Sequence, residues 1–205
     1  MTPAPEFHRL GPDLFLWQAY DPKVKAELFS SALLARAGLL VVDPIPLANS
    51  VWAQLQQAGP LAGLIVTNNN HWRASADLSA QFALPLFAHP DTYPEERPPR
   101  FNLVAHGSRI LDDLEVVEIT GAVPGEIALY TASGGGTLVM GDALINFEPY
   151  GFAFLPAKYC SDEKEMRHSL RQLLHYKTER MLFAHGTPIL NKAGARLGAL
   201  LGNDA

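Results

Sequence analysis

The chain has 205 residues with 48% hydrophobic and 18% charged side chains, enough apolar material to offset chain entropy, so wholesale disorder is excluded and one compact domain over residues 1–205 is expected. A formal net charge of −5, with no cluster of Lys and Arg, excludes an electrostatic footprint for nucleic acid or anionic lipid. Apolar runs such as 38–42 and 61–66 are far shorter than the ~20 residues that span a bilayer, and no basic-then-apolar leader opens the chain, so a soluble cytoplasmic protein is expected.

In chain order, period-2 or continuous apolar runs at 13–20, 27–35 and 39–43, separated by Asp21-Pro22 and Gly38, predict three successive strands. Leu47, Val51 and Leu55 recur at helical spacing, and Gly59-Pro60 supplies a stop. The runs 61–67 and 85–88 flank a helix-like stretch at 74–82, an order suited to parallel pairing. Four prolines within residues 89–99 predict an irregular surface loop. Short strands follow at 101–105, 115–120, 126–131 and 137–140, the last two joined as a hairpin through Ala132 to Gly136. Ser161 or Asp162 can cap a helix carrying Met166, Leu170, Leu173 and Leu174 on one face, after which 180–184 predicts a final strand before a closing helix. Strands in both halves with interspersed helices predict a mixed α/β (α+β) architecture, for which two packed sheets with helices outside fit better than one doubly wound sheet, a choice that periodicity alone leaves open.

Polar clusters at strand ends are where sites form on rigid scaffolds. Four stand out: Val42-Asp43, TNNNHWR from Thr67 to Arg73, Gly141-Asp142, and Ala184-His185-Gly186. The lone Cys160 offers neither a disulfide nor a thiolate zinc site, so any metal chemistry falls to His and carboxylate. His168 and His175, seven residues apart, read as a solvated face, and His89 ends a strand.

The ordered pieces VVDP, TNNNHWR, PGEIALY, VMGDAL and FAHGTPI, spanning roughly residues 13–189, resemble the metallo-β-lactamase superfamily. The resemblance implies a four-layer αββα sandwich whose active members hold one or two zinc or iron ions and use a metal-bound hydroxide. It also implies a His-x-His-x-Asp-His run after the strand-ending Thr, and here Asn68, Asn70, Trp72 and Arg73 occupy those four positions. Ala122 stands where the family's next His belongs, while Asp142 matches its bridging carboxylate and His185 its last His. His71 falls on a position the family leaves free, and Asp43 on one that supports the loop below the metals. Neutral amides are poor zinc ligands and a guanidinium repels a dication, so the dinuclear centre is expected to be lost.

The first expectation is therefore a metal-free small-molecule-binding or regulatory protein, its pocket lined by Asn68, Asn70, His71, Arg73, Asp142 and His185, with Arg73 paired to Asp142 in place of a metal. The alternative is a hydrolase of ester or thioester substrates with one zinc or iron ion on His71, Asp142 and His185. A purely structural or oligomer-forming role is the third. Each residue also has a plainer reading: Asp142 as a turn residue, His185 as a partner of a loop carbonyl, and Asn68 to Asn70 as a turn cluster.

Overall fold

The computed structural model describes residues 2–22 and 24–202. Seven strands form the first sheet in chain order: β1 (His8–Arg9), β2 (Leu14–Asp21), β3 (Ala26–Ala35), β4 (Gly38–Val42), β5 (Leu61–Val66), β6 (Leu86–Ala88) and β7 (Phe101–Leu103). Pairing is antiparallel from β1 to β4 and parallel from β4 to β7, because helices carry the chain back between β4, β5 and β6. Those helices are α1 (Asn49–Leu55) and α2 (Ser75–Phe82). The second sheet contains β8 (Arg109–Ile110), β9 (Leu114–Glu118), β10 (Ile127–Thr131), β11 (Thr137–Met140) and β14 (Arg180–Phe183), in the order β14-β11-β10-β9-β8. A separate hairpin, β12 (Leu144–Phe147) with β13 (Gly151–Phe154), precedes the helices α3 (Glu163–Leu170) and α4 (Ala193–Gly202).

The pleat sorts the apolar runs into layers. On β4, Leu39 and Val41 face the helices while Leu40 and Val42 face the other sheet; on β5, Leu64 and Val66 take the first side and Ile65 the second. A two-residue period with both faces buried is the pattern of a central strand covered on each side. Three apolar cores result: one between the first sheet and α1 and α2, one between the two sheets, and one between the second sheet and α3 and α4. The architecture is thus the expected αββα sandwich.

Some local expectations change. Leu47 lies before α1 and buries from an extended segment, where Ala4 pairs with it, so the helix presents only Val51, Trp52 and Leu55. Leu174 is exposed: α3 stops at Leu170 and a 3₁₀ stretch over Arg171–His175 rotates it off the buried face that Leu173 keeps. The β12–β13 hairpin has no counterpart among the expected elements, since Glu148-Pro149-Tyr150-Gly151 carries no Asn-Gly or Asp-Gly turn signal. Asp162, not Ser161, caps α3, its carboxylate accepting from the backbone N–H of Lys164 and Glu165. Among the described residues no helix is long and apolar enough to cross a membrane.

Candidate metal centre

Four strand ends meet at one edge of the sandwich and bring Asp43, the Thr67 to Arg73 loop, Asp142 and His185 together. Asp43 follows β4 with φ near +48°, a left-handed turn that Asp tolerates, and its carboxylate points under the next loop. There it accepts from the Thr67 backbone N–H at 2.8 Å and the Thr67 hydroxyl at 2.7 Å. The same carboxylate lies 3.0 Å from Nδ1 of His71.

That contact determines which way His71 works. Thr67 has one hydroxyl proton, and it goes to Asp43; Nδ1, 2.9 Å from the Thr67 oxygen and 3.0 Å from the carboxylate, must therefore carry a proton itself. Nε2 then faces the open end of the site, 3.1 Å from Oδ1 of Asp142 and 3.4 Å from Nε2 of His185. His185 completes the triangle at 3.2 Å from the same carboxylate oxygen. The ligand atoms of His71, Asp142 and His185 all lie within 4.8 Å of one another. A bare Nε2 lone pair against a carboxylate oxygen is repulsive, so the triangle needs one electrophile, either a proton on His71 or a cation shared by all three.

With a proton there, burial pulls the His71 pKa down, but Asp142 and Asp43 on opposite sides overcome it and raise it to about 9. Asp142 is held well below the usual carboxylate range: burial opposes this, and His71 and His185 outweigh it. Asp43 is lowered likewise, against its burial, by His71 and then Arg73.

The loop residues divide. Asn70 donates its amide to Oδ2 of Asp142 at 3.2 Å and so belongs to the site. Asn68 is buried beneath it and donates at 2.7 Å to Glu126, whose other oxygen accepts from the Ala143 backbone N–H at 2.9 Å. Burial, then the Asp142 charge, pushes the Glu126 carboxyl up to about 8. Trp72 leaves the site altogether and stacks on Tyr93, centroids 5.1 Å apart, with its N–H on the Thr92 carbonyl. Ala122 is buried in the second-sheet core and offers no donor.

The expected Arg73–Asp142 pair does not form. Arg73 adopts φ near +44°, which swings its side chain below the loop, where it donates to the carbonyls of Phe29, Asp43 (2.8 Å) and Ala184 (3.5 Å). Carbonyls midway along β3 and just after β4 and β14 take its two terminal nitrogens where a single carboxylate was expected to, and its buried Nε is left without a partner among the described residues. His71, named from the sequence as a pocket residue and as a ligand of the alternative one-metal site although it falls outside the family's motif, stands at the centre of the triangle. Glu126 escapes the reading of the sequence; its signal is a carboxylate opening an otherwise apolar strand, EIALY, opposite a buried amide donor. His89 stands apart, 3.6 Å from Glu118.

A sandwich of this layer order, with His and carboxylate converging at the edge where the strands end, defines a class. A family model of the metallo-beta-lactamase superfamily matches residues 6–202, and the chain belongs to that superfamily. Among solved structures it resembles DIM-1 metallo-beta-lactamase at 13% identity, TM-score 0.75, covering 98% of this chain and 100% of that one. A metallo-beta-lactamase from Erythrobacter litoralis with β-mercaptoethanol in its active site is similar at 17% identity and TM-score 0.76, covering 96% of each chain. A beta-lactamase domain protein from Burkholderia ambifaria is similar at 18% identity and TM-score 0.71, covering 100% of this chain and 77% of that one. These likenesses carry the fold. No curated protein matches the chain.

Proposed function

We propose that the protein is a hydrolase of ester or thioester substrates that works with one metal ion, zinc or iron, held by His71, Asp142 and His185. The observation that carries this is the triangle of ligand atoms, with sides of 3.1, 3.2 and 3.4 Å. Zinc bonds of 2.0–2.2 Å at tetrahedral angles put ligand atoms about 3.3–3.6 Å apart, within a few tenths of an ångström of these sides. Two imidazoles and one carboxylate also suit iron(II). A second ion has no such support, because Asn68 is engaged below with Glu126, Trp72 is turned away and Ala122 has no donor.

An ion bound there polarises a carbonyl oxygen and brings the pKa of a water ligand to about 7. The chain's own residues prepare this. Asp43 retains the Nδ1 proton of His71 and so keeps the Nε2 lone pair aimed at the centre. Asn70 holds Oδ2 of Asp142, which leaves Oδ1 toward the two imidazoles. The part-exposed ring of His185 keeps one side open for substrate.

A metal-free ligand-binding protein is the second reading, and charge favours it: Arg73 and an imidazolium at His71 balance Asp43 and Asp142 while Glu126 stays neutral. Calorimetric titration of chelator-stripped protein with zinc or iron(II) separates the two. We expect one ion per chain, uptake lost in His71→Ala, and 4-nitrophenyl ester or thioester turnover above a His185→Ala control. No uptake at micromolar metal would leave the metal-free reading.

A further inference from the structure

We propose that Glu126 is the positioning residue of the metal centre, its one carboxyl fixing the direction in which Asp142 presents Oδ1 to His71 and His185. The side chain is buried at the entry to β10. Burying a carboxyl is costly, and packing alone would be met by an apolar side chain. Both of its oxygens are instead committed to the two stretches of chain that frame Asp142.

One arm is direct. Oε1 accepts at 2.9 Å from the backbone N–H of Ala143, the residue after Asp142, and the residue before it, Gly141, packs so closely that a Cβ there would lie 2.7 Å from the same oxygen. The other arm runs through the loop. Oε2 accepts from Nδ2 of Asn68 at 2.7 Å, which turns the Asn68 carbonyl oxygen toward the Asn70 backbone N–H, 2.9 Å away. Asn70, held in this way, donates its own side-chain amide to Oδ2 of Asp142 at 3.2 Å. A circuit of hydrogen bonds through Glu126, Asn68 and Asn70 thus closes on the Asp142 carboxylate from both sides and leaves Oδ1 to the two imidazoles. The circuit has one sense: were the Asn68 amide reversed, its NH₂ would face the Asn70 N–H, donor against donor, and a group at position 126 that accepts at both oxygens prevents this. A carboxyl does so in either protonation state, since the hydroxyl oxygen of the neutral acid keeps its lone pairs, whereas a carboxamide accepts at one end and donates at the other.

Glu126→Gln therefore breaks the circuit at equal size, and Asn68→Asp is its complement: with both changes the amide at position 126 donates to the carboxylate at position 68, which still accepts from Asn70, and every hydrogen bond is restored. Two readouts follow, exchange of the Asn70 backbone amide by NMR in metal-free protein, and zinc affinity by calorimetry beside the thermal midpoint. In Glu126→Gln the Asn70 amide is expected to exchange at least about tenfold faster relative to the strand amides, and zinc to bind about 10–100-fold weaker, with both within about threefold of the unaltered protein in the double variant. Asn70→Ala, at an exposed position, should weaken zinc comparably, and together with Glu126→Gln by less than the product of the two. A lowered thermal midpoint with Asn70 exchange and zinc affinity unchanged, or losses that Asn68→Asp does not recover, overturns the positioning role. If Glu126→Gln alone does not fold, the double variant must fold with the Asn70 amide protected, and its failure to do so overturns the role as well. The inference rests on the proposed metal centre only for the zinc readout: absence of zinc uptake by the unaltered protein overturns the one-metal hydrolase, while Asn70 exchange still decides the role of Glu126.

Discussion

His71 is the residue on which the site turns, because a single ring serves Asp43 with one nitrogen and faces Asp142 with the other. A metal ion must displace the Nε2 proton that gives this imidazole a pKa of about 9. Metal affinity should therefore rise about tenfold per pH unit between about pH 6.5 and 9 and level off above, with close to one proton released per ion from the protein. Calorimetry in buffers of different ionisation enthalpy counts that proton; a flat pH dependence would mean that His71 is already neutral. Asp43→Asn keeps the shape but removes the anion behind the ring, and we expect metal affinity about 10–100-fold weaker with one ion still bound.

Among elements, the loop from Thr67 to Arg73 and the β12–β13 hairpin position the site through backbone contacts. Arg73 ties the middle of β3 to the residues just after β4 and β14 through their carbonyls, so it joins the two sheets beneath the centre. Arg73→Ala leaves three carbonyls and the Asp43 carboxylate without their cation, and a loss of about 3 kcal/mol in urea unfolding is expected, unrelieved by Asp142→Asn. Gly186 sits at φ near +112°, and a Cβ there meets the Asn146 carbonyl at 2.1 Å, since the hairpin docks against the chain just after His185. Gly186→Ala must push the hairpin away and shift His185, so metal affinity should fall along with stability. A change in stability alone, with affinity intact, would uncouple the hairpin from the site.

At the scale of the whole molecule, opposed titrations shape the stability of the metal-free protein. His71, raised from 6.5 to about 9, contributes fully below pH 6.5 and loses that contribution as pH climbs through 9. Glu126, raised from 4.5 to about 8, penalises the fold increasingly as pH rises from about 4.5 to 8, because the unfolded chain ionises first. Asp43 and Asp142, both lowered, contribute above the usual carboxylate range and lose it as pH falls. Thermal midpoints should therefore decline from about pH 4.5 to 9, first through Glu126 and then through His71, with the decline reduced in metal-saturated protein, where His71 has no proton to lose. A midpoint that rises across that window would contradict the buried protonation of both groups.

The apolar runs were enough to mark strands buried on both faces, because the pleat of β4 and β5 sorts Leu39, Val41, Leu64 and Val66 from Leu40, Val42 and Ile65, while the four-layer arrangement followed from the resemblance carried by the five ordered motifs. The local sequence likewise marked Asp142 and His185 as polar residues at strand ends, and the resemblance made them partners in one site. It could not decide where the side chains of Asn68, His71, Trp72 and Arg73 go. Consecutive loop residues have no period, and their directions follow from φ values near +44° at Arg73 and +48° at Asp43 and from where distant carbonyls and carboxylates stand. Only the tertiary structure brings Asp43 beneath His71, Glu126 beneath Asn68, and Phe29 and Ala184 beside Arg73, and those long-range hydrogen bonds outweigh any local preference of the chain.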